Sequence, residues 1–226
     1  MTRYKWYRIG LPNGLDSLLK RLRADVFTAD KARGFVPGVS ASGAHAFRFA
    51  WRSNIVITTL DLDGNSVRQS VSTVSLCEFA LFSKFGVSWL RVVDPPRSVK
   101  DLLDALEAAV GLGFYAEVVV FTQSVYAALL RSVDECRLVS FKGVGSVTSQ
   151  KAIARIEVAG KEGLDLGRME FLRGMEYSVD YALYEVVYRR ERGQVAFSMS
   201  GVVKIGGNLQ PHLLELVENE LPRKIA

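Results

Sequence analysis

The chain has 226 residues and a mass of 25.0 kDa, with 49% hydrophobic, 10% aromatic and 23% charged residues, a mixture that can bury a core and excludes a disordered chain. The apolar run Val118 to Leu130 spans 13 uncharged residues. A membrane helix needs roughly 18, so no transmembrane span is expected. The formal charge of +5 is unevenly placed: Met1 to Gly113 carries 15 Lys and Arg against 10 Asp and Glu, whereas Phe114 to Ala226 carries 14 against 14.

The N-terminus MTRYKWYRIG is charged and aromatic and lacks the apolar core of a secretory signal. Two cysteines, Cys77 and Cys136, do not make a disulfide framework, and a cytoplasmic setting is the expectation. Arginine outnumbers lysine 19 to 10, a pattern compatible with a thermophile or with a GC-rich genome. Arginine also suits phosphate, because its planar fork donates two parallel hydrogen bonds.

In chain order, Arg3 to Leu11 reads as a strand and ends in the turn signal Pro12-Asn13-Gly14. Leu15, Leu18, Leu19, Leu22 and Val26 then recur at helical spacing, with Lys20, Arg21 and Arg23 on the solvent side. The stretch through Gly34, Pro37, Gly38 and Gly43 reads as a loop. Ala46 to Arg52 alternates, setting Phe47, Phe49 and Trp51 against Arg48, Ala50 and Arg52. Asn54 to Leu62 and Ser66 to Phe79 read as strands joined by an Asp63-Gly64 hairpin turn. Val87 to Val93 is a further strand. After Asp94-Pro95-Pro96, Ser98 can cap a helix with the stripe Val99, Leu102, Leu103, Leu106 and Val110, ended by Gly111.

In the second half, Ala116 to Thr122 reads as a strand and Val125 to Val133 as a helix. Arg137 to Lys142, Ala152 to Ala159, Ser178 to Arg190 and Gln194 to Ile205 follow as strands. Asn208 can cap a last helix carrying Leu209, Leu213, Leu214, Val217 and Leu221. Leu102, Leu103, Leu106, Leu213, Leu214 and Val217 are the expected helical core. Both halves thus read β-α-β-β-β-β-α, which predicts an α+β protein with antiparallel sheets covering amphipathic helices, duplicated as residues 1–113 (basic) and 114–226 (neutral). This order resembles the half-repeat of the TATA-binding-protein-like fold. The resemblance is one of element order alone, so no functional residue of that family maps onto this chain. A helix-grip fold, with an apolar ligand cavity between sheet and helix, has a similar order and stays open.

Motifs for chemistry are scarce. Only His45 and His212 could serve as histidine bases, and neither cysteine has a second Cys or a His at zinc-ligand spacing, so no cofactor or metal is expected. Asp61-Leu62-Asp63-Gly64-Asn65 places its glycine too early for a calcium loop and reads as a hairpin turn. Gly143-Val144-Gly145-Ser146 with Thr148, Ser149 and Lys151 lacks the Gly-Lys-Ser/Thr of a phosphate loop and reads as a flexible loop. Glu157, Glu162, Asp165 and Glu170 read as a solvated acidic stretch. An enzyme is therefore disfavoured.

The most informative segment is basic. Met1 to Leu60 holds ten cations against Asp16, Asp25 and Asp30, a +7 excess, and Arg3-Tyr4-Lys5-Trp6-Tyr7-Arg8 interleaves cations with rings. Cations neutralise phosphates and rings stack on bases. The expectation is a non-catalytic protein binding nucleic acid, DNA or RNA, or the nucleic-acid-facing subunit of a larger assembly with other protein subunits. Arg3, Lys5, Arg8, Lys20, Arg21, Arg23, Arg48 and Arg52 would supply the electropositive face, with Trp6 and Tyr7 as stacking groups. The rivals are an apolar-ligand protein of helix-grip type and a purely structural interaction subunit.

Overall fold

The computed structural model describes residues 1–39, 43–147, 152–173 and 175–221. It is α+β, with a large antiparallel sheet and four α-helices. The chain divides into two compact units, Tyr7–Glu117 and Met1–Trp6 with Val118–Ala226. The first strand, β1 (Thr2–Gly10), contributes its C-terminal half to the former and its N-terminal half to the latter.

In the Tyr7–Glu117 unit, α1 (Gly14–Ala24) is followed by β2 (Arg33–Pro37), β3 (His45–Leu60), β4 (Ser66–Lys84), β5 (Val87–Val93) and α2 (Lys100–Val110). The strand order is β2-β3-β4-β5-β1. Phe35 stands opposite Phe49, and Phe47 stands opposite Phe79, which in turn faces Val92, so alternation turns these residues to the same face as Tyr7, Ile9 and the buried stripes of the two helices. In α1 that stripe is Leu18, Leu19 and Leu22. In α2 it is Leu102, Ala105, Leu106 and Val110, whereas Leu103 is half-buried at the margin of the cluster. The Ser98 hydroxyl accepts from the Lys100 N–H at 3.2 Å, and Gly111, at φ +88°, ends the helix as its missing Cβ permits.

Two expectations change here. The stretch from Gly34 forms β2 rather than a loop, because Gly34 lets the backbone approach Phe27 closely while Phe35 fills the core between Phe49 and Phe79. The two strands expected at Ala46 to Arg52 and Asn54 to Leu62 are one, β3, paired without a break to β4 from His45↔Leu81 to Leu60↔Ser66. The distal part of this hairpin leaves the sheet: β2 pairs with β3 only as far as Trp51, and β5 pairs with β4 only from Glu78.

β6 (Tyr115–Val118) closes the Tyr7–Glu117 unit, and the other unit contains α3 (Gln123–Leu130), β7 (Glu135–Val147), β8 (Ala152–Ala159), two 3₁₀ turns (Leu166–Arg168 and Glu170–Leu172), β9 (Glu176–Tyr188), β10 (Glu191–Ser198), β11 (Val202–Gly207) and α4 (Gln210–Asn219). β6 pairs with β1, and the remaining strands run β1-β11-β10-β9-β7-β8. The single strand expected over Gln194 to Ile205 is two, split at Gly201, whose φ of +76° permits a tight turn that the Ser198 hydroxyl closes with hydrogen bonds to the Val202 backbone. The second half therefore has five strands after its first helix, where four were expected.

Gly143 and Gly145 lie within β7 rather than in a flexible loop. A Cβ on Gly143 would meet the Ser178 carbonyl oxygen at 2.6 Å, so glycine there serves close strand packing. Thr148, Ser149 and Lys151 lie outside the described residues. Leu213 and Val217 of α4 are buried, while Leu214 is half-buried, and no side chain caps the helix where Asn208 was expected to. Among the described residues, no helix is long and apolar enough to cross a membrane.

Candidate functional site

The stacking groups expected at the N-terminus are core residues. Trp6 is 0% exposed, packs edge-on against Phe121 with ring centroids 5.6 Å apart, and its indole N–H donates to Glu218. Tyr7 is 2% exposed within the Tyr7–Glu117 core. The alternation along β1 holds, with Tyr4 and Trp6 on one side and Tyr7 and Ile9 on the other. All four of these side chains are buried, however, so neither Trp6 nor Tyr7 presents a ring to a nucleobase.

The expected cations fall in three places. Lys20, Arg21 and Arg23 lie on the outer side of α1, where the Arg21 guanidinium donates to the carbonyls of Ala109 (2.5 Å) and Val110 (3.3 Å) at the end of α2. Arg48 and Arg52 alternate with Phe47, Phe49 and Trp51, and so lie on the sheet face opposite to the helices, as does Arg8, which alternates with Tyr7 and Ile9. Arg52 donates to the carbonyls of Lys31 and Ala29, pinning the 29–31 loop. The sheet thus separates the α1 cations from Arg8, Arg48 and Arg52, and the guanidinium groups of Arg21 and Arg52 are engaged in their own fold.

Arg3 and Lys5 belong to a different group. On β1-β11-β10-β9-β7, the residues Tyr4, Val203, Phe197 and Tyr184 turn toward α3 and α4: Gln210 donates to the Tyr4 hydroxyl at 2.8 Å, and the Tyr126 ring lies against Phe197 and Tyr184. The alternate residues face away. These are Arg3, opposite Lys204; Lys5, opposite Val202; and Ser198, opposite Tyr181, which is itself opposite Lys142. The Lys204 ammonium stands 5.3 Å from the centroid of the half-buried Tyr181 ring. Burial raises the Tyr181 phenol pKa, and the charge of Lys142 acts the other way. Lys142 also pairs with Glu157 across β8 at 2.6 Å, with both side chains largely exposed, an ion pair of small net worth.

This open face therefore assembles Arg3, Lys5, Lys142 and Lys204 around a tyrosine ring, with Lys142 paired to Glu157. Strand spacing of about 4.8 Å spreads it over roughly 19 Å from β1 to β7. Lys142, Tyr181 and Lys204 stand 39 and 23 residues apart in the chain. Composition carries no trace of them as a group; only the strand pairing brings them together.

At the neighbouring end of the sheet a recess of about 440 Å³ is lined by Glu135, Arg137, Glu185, Arg192 and Gln194 among others. Its charges answer one another. The Arg137 guanidinium donates to the Glu185 carboxylate at 2.9 and 2.5 Å and holds its pKa below the usual range. His45 opens β3 and is half-buried, while His212 is exposed with its ring 6.2 Å from Tyr188. Asp165 caps the first 3₁₀ turn through the Gly167 N–H and pairs with Arg168. Among the described residues, no three His, Cys, Asp or Glu side chains are grouped to hold a metal ion. No protein-family model matches the chain, and no curated protein is significantly similar to it in sequence.

Proposed function

We infer that this chain is a non-catalytic nucleic-acid-binding protein that takes a strand across the open face of β1-β11-β10-β9-β7. The observation that carries the reading is the cross-strand placement of Tyr181 between Lys142 and Lys204, with Arg3 opposite Lys204. A sheet face bearing a ring flanked by cations offers a stacking platform with phosphate partners on either side. The cation over the ring is exchangeable, because a base can take the ring face while the ammonium moves to a phosphate. The apolar-ligand reading has less support, since the recess beside Arg137 and Glu185 carries an ion pair in its lining. A cytoplasmic setting is consistent with Cys77 and Cys136 both being free thiols. The order strand, helix, antiparallel strands, helix in both halves supports a TATA-binding-protein-like repeat of 1–113 and 114–226, with one strand added in the second copy.

The test is fluorescence anisotropy with labelled single- and double-stranded oligonucleotides over a range of salt. Each phosphate contact adds about 0.7 to 0.9 to the slope of log affinity against log salt, so four contacts give a slope near −3 for a single strand. Replacing Lys142 and Lys204 together by Ala lowers its magnitude by about 1.5. Tyr181→Ala weakens binding by about 1 to 3 kcal/mol while leaving the slope unchanged. Absence of binding at low salt, or binding indifferent to these substitutions, overturns the reading.

A further inference from the structure

The distal part of the β3–β4 hairpin is a two-stranded ribbon whose apolar side chains are exposed on both faces. Ile55, Ile57 and Val67 are 50%, 44% and 44% exposed on one; Val56, Leu60, Val74 and Leu76 are 62%, 72%, 49% and 54% exposed on the other. An isolated hairpin is marginal in water, and three or more strands are needed for independent stability. Its longer free edge belongs to β4. From Ser66 to Cys77, 12 residues, the side of β4 away from β3 has no strand beside it among the described residues, whereas the free edge of β3 runs only from Ser53 to Leu60. The edge is lightly guarded, with Arg68 its single charge. This stretch of β4 contains no proline and no lysine, and its register with β3 is unbroken by a bulge.

We propose that the Ser66–Cys77 edge is a self-association surface at which a second copy of this chain adds its own β4 antiparallel, joining two hairpins into one four-stranded sheet. Charge selects the occupant. Between Ser53 and Ser75 only Asp61, Asp63 and Arg68 are charged. The two aspartates sit at the tip, where Asp61 accepts from the Asp63 and Asn65 N–H groups. A ribbon led by two carboxylates is repelled from a nucleic-acid groove, and a charged peptide finds almost nothing on the edge to pair with.

A second copy suits it. With a two-fold axis perpendicular to the sheet at Val71 or at Ser72, Arg68 lies opposite Val74 or Leu76 of the partner, and Val, Ser and Thr face one another. The tips then lie at opposite ends, roughly 50 Å apart at about 3.3 Å per residue, beyond the reach of screened repulsion. The backbone N–H and C=O groups of the edge are satisfied along its length, and the new cross-strand neighbours cover part of the exposed Val side chains.

Sedimentation velocity of the full chain over a range of concentrations tests this. The expected result is a dimer whose share rises with concentration. Ser70→Lys with Ser72→Lys sets lysines against one another across either axis, and that variant sediments as a folded monomer by circular dichroism; so does Ser70→Glu with Ser72→Glu. An equimolar mixture of the two variants restores the dimer, which a merely misfolded variant does not. A native chain that stays monomeric throughout, a dimer indifferent to both pairs of substitutions, or a mixture that fails to associate overturns the proposal.

Discussion

Tyr7 and Cys77 place two ionisable side chains in one apolar cluster, 2% and 3% exposed. Burial pushes the Tyr7 phenol up to about 12 and the Cys77 thiol up to about 11, because the anion of either would have to be desolvated; for Tyr7 a Cys77 thiolate adds to the rise. Below about pH 9 both groups are protonated in the folded and the unfolded chain and contribute no pH dependence. Above it the unfolded chain releases the thiol proton near its ordinary value of about 9 and the phenol proton near 10, while the folded chain holds both until about 11 and 12. The unfolded state binds fewer protons in that window, so stability falls as pH rises from about 9 to 12. Denaturant midpoints measured across this range should decline less steeply for Tyr7→Phe with Cys77→Ala than for the native chain. The slope will not vanish, since Tyr184 is also pushed up to about 12. A decline unchanged by the two substitutions would show that neither group is desolvated as the packing implies.

At the scale of elements, the turn between β9 and β10 departs from the preferred chemistry. Tyr188 and Glu191 pair across a two-residue connection in which Arg189 and Arg190 both adopt positive φ, 51° and 69°. Hairpin turns of this kind favour Asn-Gly, because an L side chain in the left-handed region crowds its own backbone. The surroundings hold the strained pair: the Arg189 N–H donates to the Asp134 carboxylate at 2.6 Å, and its guanidinium lies 5.1 Å from the Tyr188 ring centroid. Arg190→Gly should raise stability by about 1 kcal/mol, read as a higher denaturant midpoint with unchanged cooperativity. A loss of stability would mean that the Arg190 side chain, rather than its backbone, holds the turn.

On the scale of the whole molecule the basic residues of the N-terminal segment are distributed over different elements. The +7 excess of Met1 to Leu60 is divided among the outer side of α1, the opposite sheet face with Arg8, Arg48 and Arg52, and the open face where Arg3 and Lys5 join Lys142 and Lys204. If binding follows local geometry rather than net charge, Lys20→Ala, Arg23→Ala and Arg48→Ala in one chain remove three cations with little change in the salt slope. Removing only Lys142 and Lys204 lowers it by about 1.5. The same anisotropy titration compares the two variants, and a larger effect of the triple substitution would return the site to the N-terminal basic segment.

The sequence alone determined the local elements whose physics is local. The helical stripes at Leu18, Leu19 and Leu22 and at Leu102 and Leu106, the alternation of Phe47 and Phe49 with Arg48, the strand Val87 to Val93 and the glycine ends at Gly64 and Gly111 depend on periodicity and φ preference, which each residue carries with it. Tertiary structure decided everything that depends on what packs opposite. It made β2 a strand because Phe35 had a cavity to fill between Phe49 and Phe79. It closed both sides of β1 over Trp6 and Tyr7, rings that alternation alone could not place inside or outside. The cation-flanked Tyr181 was illegible for the same reason. Its neighbours arrive by cross-strand register from three separate strands, and register is set by the burial of the other face, here Phe197, Val203 and Tyr184, rather than by any property of Lys142, Tyr181 or Lys204 themselves.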